Sequence, residues 1–200
     1  MTPLIETFRA WSRVSDHVVS SMVQANRATA AAMRPVEWSN GEYRDVESVE
    51  HRRPGWEFER SVDDVEAIDV GDVITFTKTV TDDDVRQFAD ASGDTNRLHL
   101  DDSFAEETRF GGRIAHGTLV GGLISAALAR LPGLTIYLSQ DLEFVAPVEI
   151  GDEVTATVEI VEALGDDRYR LETRVERGDE LVVDGEAVVM VDALPETDDR

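Results

Sequence analysis

The chain has 200 residues, 42% of them hydrophobic, no cysteine, and 42 acidic against 19 basic residues for a formal charge of −23. That length builds one core or at most two, the missing cysteines exclude a disulfide framework and a thiolate nucleophile, and dispersed negative charge opposes nucleic acid and anionic membranes. Lys78 is the only lysine, and acid excess with lysine depletion predicts strongly saline surroundings, where a Debye length of ~3 Å at 1 M salt quenches self-repulsion.

Residues 1–33 come first, and there Leu4, Phe8, Trp11, Val18 and Met22 draw one apolar stripe on a helix, with Pro3 in the tolerated first turn. The stripe predicts an added layer of the fold or a dimer contact; the alternative is docking on a hydrophobic surface, such as a polyester storage granule or a partner enzyme. Glu6, Arg9, Arg13 and Asp16 interrupt the apolar run a secretory signal needs, and no stretch is long and apolar enough to span a bilayer, so a cytoplasmic location is expected. Residues 34–60 lose the pattern among Pro35, Gly41, Pro54 and Gly55 and read as a connector, with Trp38, Tyr43, Trp56 and Phe58 as docking points.

The main domain is expected over 61–194. Val73 to Val80 is rich in β-branched residues and predicts a strand. Thr81, with Asp84 three positions on, predicts the N-cap of a helix carrying Val85, Phe88 and Ala89 and ending at Gly93. A loop follows over Asp94 to Leu100, then a turn of helix over Ser103 to Thr108 and a tight passage at Gly111-Gly112. Thr118 to Leu131 is apolar almost all round and predicts a buried helix. After Pro132-Gly133 four segments alternate with period two, around Ile136 to Phe144, Val154 to Ile160, Tyr169 to Val175 and Leu181 to Val191, separated by turns at Pro147/Gly151, Gly165-Asp166 and Gly178-Asp179. Connections this short favour antiparallel neighbours. The expected class is α+β: a curved antiparallel sheet wrapped around one buried helix, with an extra N-terminal helix and an acidic tail at 195–200.

Ser92-Gly93-Asp94-Thr95-Asn96-Arg97-Leu98-His99 carries the chemistry. A carboxylate and an imidazole five positions apart in one polar loop can share a water, one group taking a proton while the other gives one; this predicts addition or removal of water across an activated double bond. His116-Gly117 then opens the apolar helix, whose first N–H groups can hold a polarised thioester carbonyl. Each piece has an ordinary explanation. Asp94 and Asn96 after a glycine are common turn chemistry, His99 between two leucines suits a half-buried histidine with a carbonyl partner, and His116-Gly117 suits a plain helix entry. Their joint order ahead of a buried helix favours the site. His17 and His51 are expected at the surface, and no two of the four histidines share a ligand spacing on a helix, so no metal is expected.

Phe88 to Leu100, followed by Phe104, Ala105 and Ile114-Ala115-His116-Gly117, resembles the MaoC-like, (R)-specific enoyl-CoA hydratase family of hot-dog-fold proteins, over about the last two thirds of the chain. The family motif runs Gly-Asp-x-Asn-Pro-aliphatic-His. Gly93, Asp94, Asn96, Leu98 and His99 match it, and Arg97 stands where the family has proline, which would fix one φ near −65°. The resemblance implies a single hot dog that dimerises, with the pocket at the two-fold interface, and needs neither metal nor redox cofactor. Its substrate is implied to be an acyl-CoA: Asp94 and His99 activate the water that adds to the β-carbon of a trans-2-enoyl-CoA, giving (R)-3-hydroxyacyl-CoA in a reversible reaction. Asn96 braces the loop, Gly117 donates its N–H to the thioester oxygen beside His116, and Ser125 and Leu128, three residues apart on the helix, line the acyl-chain pocket. The product suits polyhydroxyalkanoate synthesis or fatty-acid breakdown. Alternatives are a mesaconyl-type or carrier-protein-linked thioester as substrate, or a non-catalytic hot-dog binding or granule-associated protein.

Overall fold

A computed structural model describes residues 55–194. The expected N-terminal helix, most of the connector and the acidic tail lie outside the described residues. Among the described residues no helix is long and apolar enough to cross a membrane.

Six antiparallel strands form one sheet: β1 (Trp56–Arg60), β2 (Val73–Thr79), β3 (Leu134–Phe144), β4 (Glu153–Gly165), β5 (Arg168–Arg177) and β6 (Glu180–Asp192), in the order β1-β2-β4-β5-β6-β3. The four late strands fall where period-two alternation puts them. β1 corrects the expected connector: Trp56–Arg60 pair with Ile74 to Lys78 of β2. Trp56 to Arg60 do alternate, but five residues after Pro54-Gly55 are too short a run to announce a strand, and the edge of β2 completes what the local sequence leaves open.

Four α-helices, α1 (Asp82–Ser92), α2 (Arg97–Leu100), α3 (Asp102–Glu106) and α4 (Gly117–Leu128), and one 3₁₀ turn (Val65–Ala67) complete the described region. The Thr81/Asp84 capping box forms as the sequence predicts. Burial raises the Asp84 pKa, but the Lys78 ammonium and the Thr81 N–H and hydroxyl outweigh it and hold the carboxyl below the usual range. Gly93 closes α1 at φ 78°, in the left-handed region that glycine enters without strain.

α4 packs across β2, β3, β4 and β5, the hot-dog arrangement. Its Val120, Ile124, Ala127 and Leu128 join Ile74, Phe76, Ala156, Val158, Leu171 and Val175 in one hydrophobic core. The helix ends three residues earlier than its apolar run, because the Arg130 and Leu131 N–H groups bond back only three residues before Pro132-Gly133 stops the turn. Nor is it buried all round: Thr118, Gly122 and Ser125 are exposed.

The β3–β6 pair depends on a missing side chain. A Cβ on Gly185 would sit 2.1 Å from the Asp141 carbonyl oxygen, a backbone atom that cannot step aside. Overpacking typically costs 1–3 kcal/mol, and a backbone obstacle belongs at the upper end. Gly185→Ala is therefore expected to lose about 3 kcal/mol and roughly 6–12 °C in Tm, read by thermal melting.

Candidate active site

The loop between α1 and α3 holds itself together with its own short polar side chains. The Asn96 N–H donates to Asp94 Oδ1 at 3.2 Å, and Asn96 Oδ1 accepts from the Leu98 N–H at 3.1 Å as the N-cap of α2. Arg97 takes the first helical position, where the family's proline is also tolerated. Its guanidinium donates twice to Asp101 Oδ2, at 3.1 and 2.7 Å, and lies 4.5 Å over the Phe104 ring. A side-chain tether thus constrains the turn where a proline ring would have done so.

That turn points His99 inward, where it is 8% exposed. His99 Nδ1 lies 2.8 Å from the Ile114 carbonyl oxygen. A carbonyl can only accept, so Nδ1 carries a proton, and in the neutral ring the lone pair then belongs to Nε2. His116, 1% exposed, uses Nε2 in the same way toward the Asp94 carbonyl at 3.0 Å, and its buried Nδ1 has no hydrogen-bond partner. The His99 and His116 rings face each other at 3.9 Å and 34°, and Phe88 packs on His116 at 4.9 Å. His116 therefore joins the loop to the entry of α4.

One ligand atom each of Asp94, His99 and His116 lies within 4.8 Å of the other two. Two hydrogen bonds of about 2.8 Å meeting at a tetrahedral oxygen span about 4.6 Å, so the spacing suits one shared water. A single metal ion fits less well. Planes inclined by 34° from rings 3.9 Å apart do not bring two in-plane lone pairs to one point at the ~2.0–2.1 Å a metal–nitrogen bond requires.

Beside His99 lies a cavity of about 280 Å³, lined also by Arg109, Phe110, Gly117, Val120 and Phe144. Asp94 is exposed and is not among the lining residues; it reaches the site through its approach to His99. Gly117 is the first residue of α4, so its N–H has no partner within the helix and sits at the positive end of the macrodipole. A Cβ at this position would meet the Phe144 ring at 3.0–3.4 Å. The structure thus brings Asp94, His99, His116 and Gly117 together, with Asn96 bracing the loop. Ser125 and Leu128 are not among the residues lining this cavity: Ser125 is exposed and Leu128 is 2% exposed in the core.

Several contributors escape sequence reasoning. Ile114 acts through its carbonyl, which every residue possesses. Phe144 and Val145 line the cavity from β3 and the turn after it, 51% and 54% exposed. Arg113, largely buried, donates to Asp82 and Asp102 at 2.6 Å each and to the His99 carbonyl at 3.4 Å, tying α1, α2 and α3. No acid stands beside Arg113 in the sequence, so its role comes from tertiary placement alone.

A model of the MaoC-like domain matches residues 68–184. Over 136 residues the chain is 46% identical to a 3-hydroxybutyryl-CoA dehydratase of Methylorubrum extorquens, covering 66% of this chain and 87% of that protein. Over 131 residues it is 43% identical to an (R)-specific enoyl-CoA hydratase of Rhodospirillum rubrum, covering 64% and 91%. The solved structure of an (R)-hydratase from A. caviae involved in PHA biosynthesis superposes with a TM-score of 0.61 at 40% identity, covering 64% of this chain and 99% of that one.

The carboxylate behind the His99 turn has a pH signature. Hydrogen bonds from Arg97 first, then from the Phe104 N–H and Ser103, lower the Asp101 pKa from 3.8 to about 2. A depressed carboxylate stabilises the fold above its ordinary value and loses that contribution as pH falls through the folded value. Asp101→Asn is expected to flatten the loss of stability between about pH 4 and pH 2, followed by circular dichroism during acid titration.

Proposed function

The chain belongs to the MaoC-like domain family, and from that membership we propose that it is an (R)-specific enoyl-CoA hydratase, adding water to trans-2-enoyl-CoA to give (R)-3-hydroxyacyl-CoA and running in reverse as a dehydratase. The carrying observation is the approach of Asp94 and His99 to within 4.8 Å beside a cavity that Gly117 also lines. Relatives named for this chemistry, at 43–46% identity, support the same reaction and the acyl-CoA substrate.

A water donates one hydrogen to the Asp94 carboxylate and the other to His99 Nε2, leaving an oxygen lone pair for the β-carbon of the enoyl thioester. The C–O bond forms as one O–H bond breaks, and the alkene electrons move to the thioester oxygen as an enolate. There the Gly117 N–H and the dipole of α4 stabilise the charge. The abstracted proton returns to the α-carbon as the enolate collapses. Atoms balance as one water added, with no redox change. The two side chains act as a coupled pair around one water.

Two copies are needed to finish the surface. β3 ends the sheet, and it carries exposed Leu134, Tyr137 and Phe144. An open apolar edge of this kind is normally covered, and Phe144 and Val145 half-expose the cavity they line, which favours a homodimer closing it. The acid excess and single lysine fit cytoplasm of high salt.

Full-length protein in high salt is expected to remove the enoyl-thioester absorbance of crotonyl-CoA, and Asp94→Asn and His99→Ala each to lower kcat/KM by ~10²–10⁴. Turnover by either variant at the parental rate contradicts the assignment. Tm is expected to rise as KCl goes from about 0.1 M to about 2 M; a flat response contradicts the saline assignment.

A further inference from the structure

We propose that Arg109 binds the phosphate-bearing end of the coenzyme A thioester, an inference that rests on the hydratase function above. The chain carries −23 overall, and its described cations are mostly engaged with its own carboxylates. Among the described residues, Lys78 and every arginine except Arg109 and Arg130 meet a carboxylate within 4.0 Å. Arg130 is buried with its guanidinium over the Phe76 ring at 4.3 Å, out of reach of any solute. Arg109 is exposed, and its one described partner is the Phe110 ring, 4.9 Å from the guanidinium carbon. Three residues beyond Phe110 in the same segment, Arg113 is held between Asp82 and Asp102, so proximity to acids does not explain why Arg109 stays free.

Arg109 and Phe110 line the same cavity as His99 and Gly117, and apart from His99, Arg109 is the only ionisable lining residue. A space of about 280 Å³ accepts an acyl group and the start of the pantetheine arm, whereas pockets enclosing larger ligands approach 1,000 Å³. The nucleotide and its phosphates stay outside. A substrate with its thioester at Gly117 brings that polyanion to a chain of net charge −23, and Arg109, exposed on the lining of the same cavity, offers a guanidinium not engaged with a carboxylate. Arginine is well matched to a phosphate ligand, since it stays charged at any working pH, its planar fork meets phosphate oxygens in pairs, and an aromatic face restrains it before the ligand arrives.

The test compares two substrates in the full-length protein. Crotonyl-CoA carries the phosphates and crotonyl-pantetheine lacks them. Arg109→Gln is expected to raise KM for crotonyl-CoA roughly tenfold with kcat within about twofold, to raise KM for crotonyl-pantetheine less than about twofold, and to regain most of the loss as Arg109→Lys. An unchanged KM for crotonyl-CoA, or an equal rise for both substrates, overturns the proposal. Calorimetric titration with free coenzyme A separates it from the hydratase assignment. Binding weakened about tenfold by Arg109→Gln in a protein that hydrates nothing supports Arg109 and refutes the hydratase; hydration with binding indifferent to Arg109 does the reverse.

Discussion

A main-chain carbonyl can only accept a hydrogen bond, so the Ile114 oxygen, 2.8 Å from His99 Nδ1, obliges that nitrogen to carry the ring proton. In the neutral ring the lone pair then belongs to Nε2. The surrounding structure keeps this single contact in register: Asn96 caps the turn that aims His99, Arg97 and Asp101 tie the turn to the next helix, and the Ala115 N–H bonds the Val148 carbonyl to anchor the segment carrying Ile114. His116 does the equivalent on the other side, donating to the Asp94 carbonyl while its ring stacks on His99. Two imidazoles and two carbonyls thus hold the Asp94 loop and the His99 ring at a set separation.

Charge is used sparingly around this frame. In a chain so acidic, each arginine near the site has a distinct geometry: Arg97 closes a turn, Arg113 bridges two helix starts, and Arg109 remains exposed at the cavity lining. Surface pairs of this kind contribute little one at a time. Arg113 is different, since it is largely buried and satisfies two carboxylates and a carbonyl together. Such an arrangement tolerates strong salt, because the ties that matter are short and partly sheltered while the repulsion across the surface is screened.

Much of the fold was legible wherever a period or a cap has a single cause. Alternation marked β3 to β6, Thr81 and Asp84 marked the start of α1, and Gly93 its end. What escaped depended on partners distant in sequence. β1 exists because β2 offers it an edge, and the exposed face of α4 cannot be told from its buried face when glycine, threonine and serine mix with leucine. At the site, the motif exposed Asp94, Asn96 and His99, and the helix entry exposed His116 and Gly117. Ile114, Phe144 and Arg113 left no mark, since a carbonyl, an edge-strand ring and a bridging arginine acquire their roles only from tertiary placement. Ser125 and Leu128 rest on family likeness alone, and neither lines the cavity: one is exposed and the other lies in the core.

The most direct measurement is nitrogen-15 NMR of the His99 ring at neutral pH in the full-length protein, assigned by comparison with His99→Gln. The account predicts a neutral ring protonated at Nδ1, with the Nδ1 proton slow to exchange and Nε2 shifting when a substrate analogue displaces water. A ring protonated at Nε2 instead, or one whose two nitrogens exchange protons freely with solvent, contradicts it.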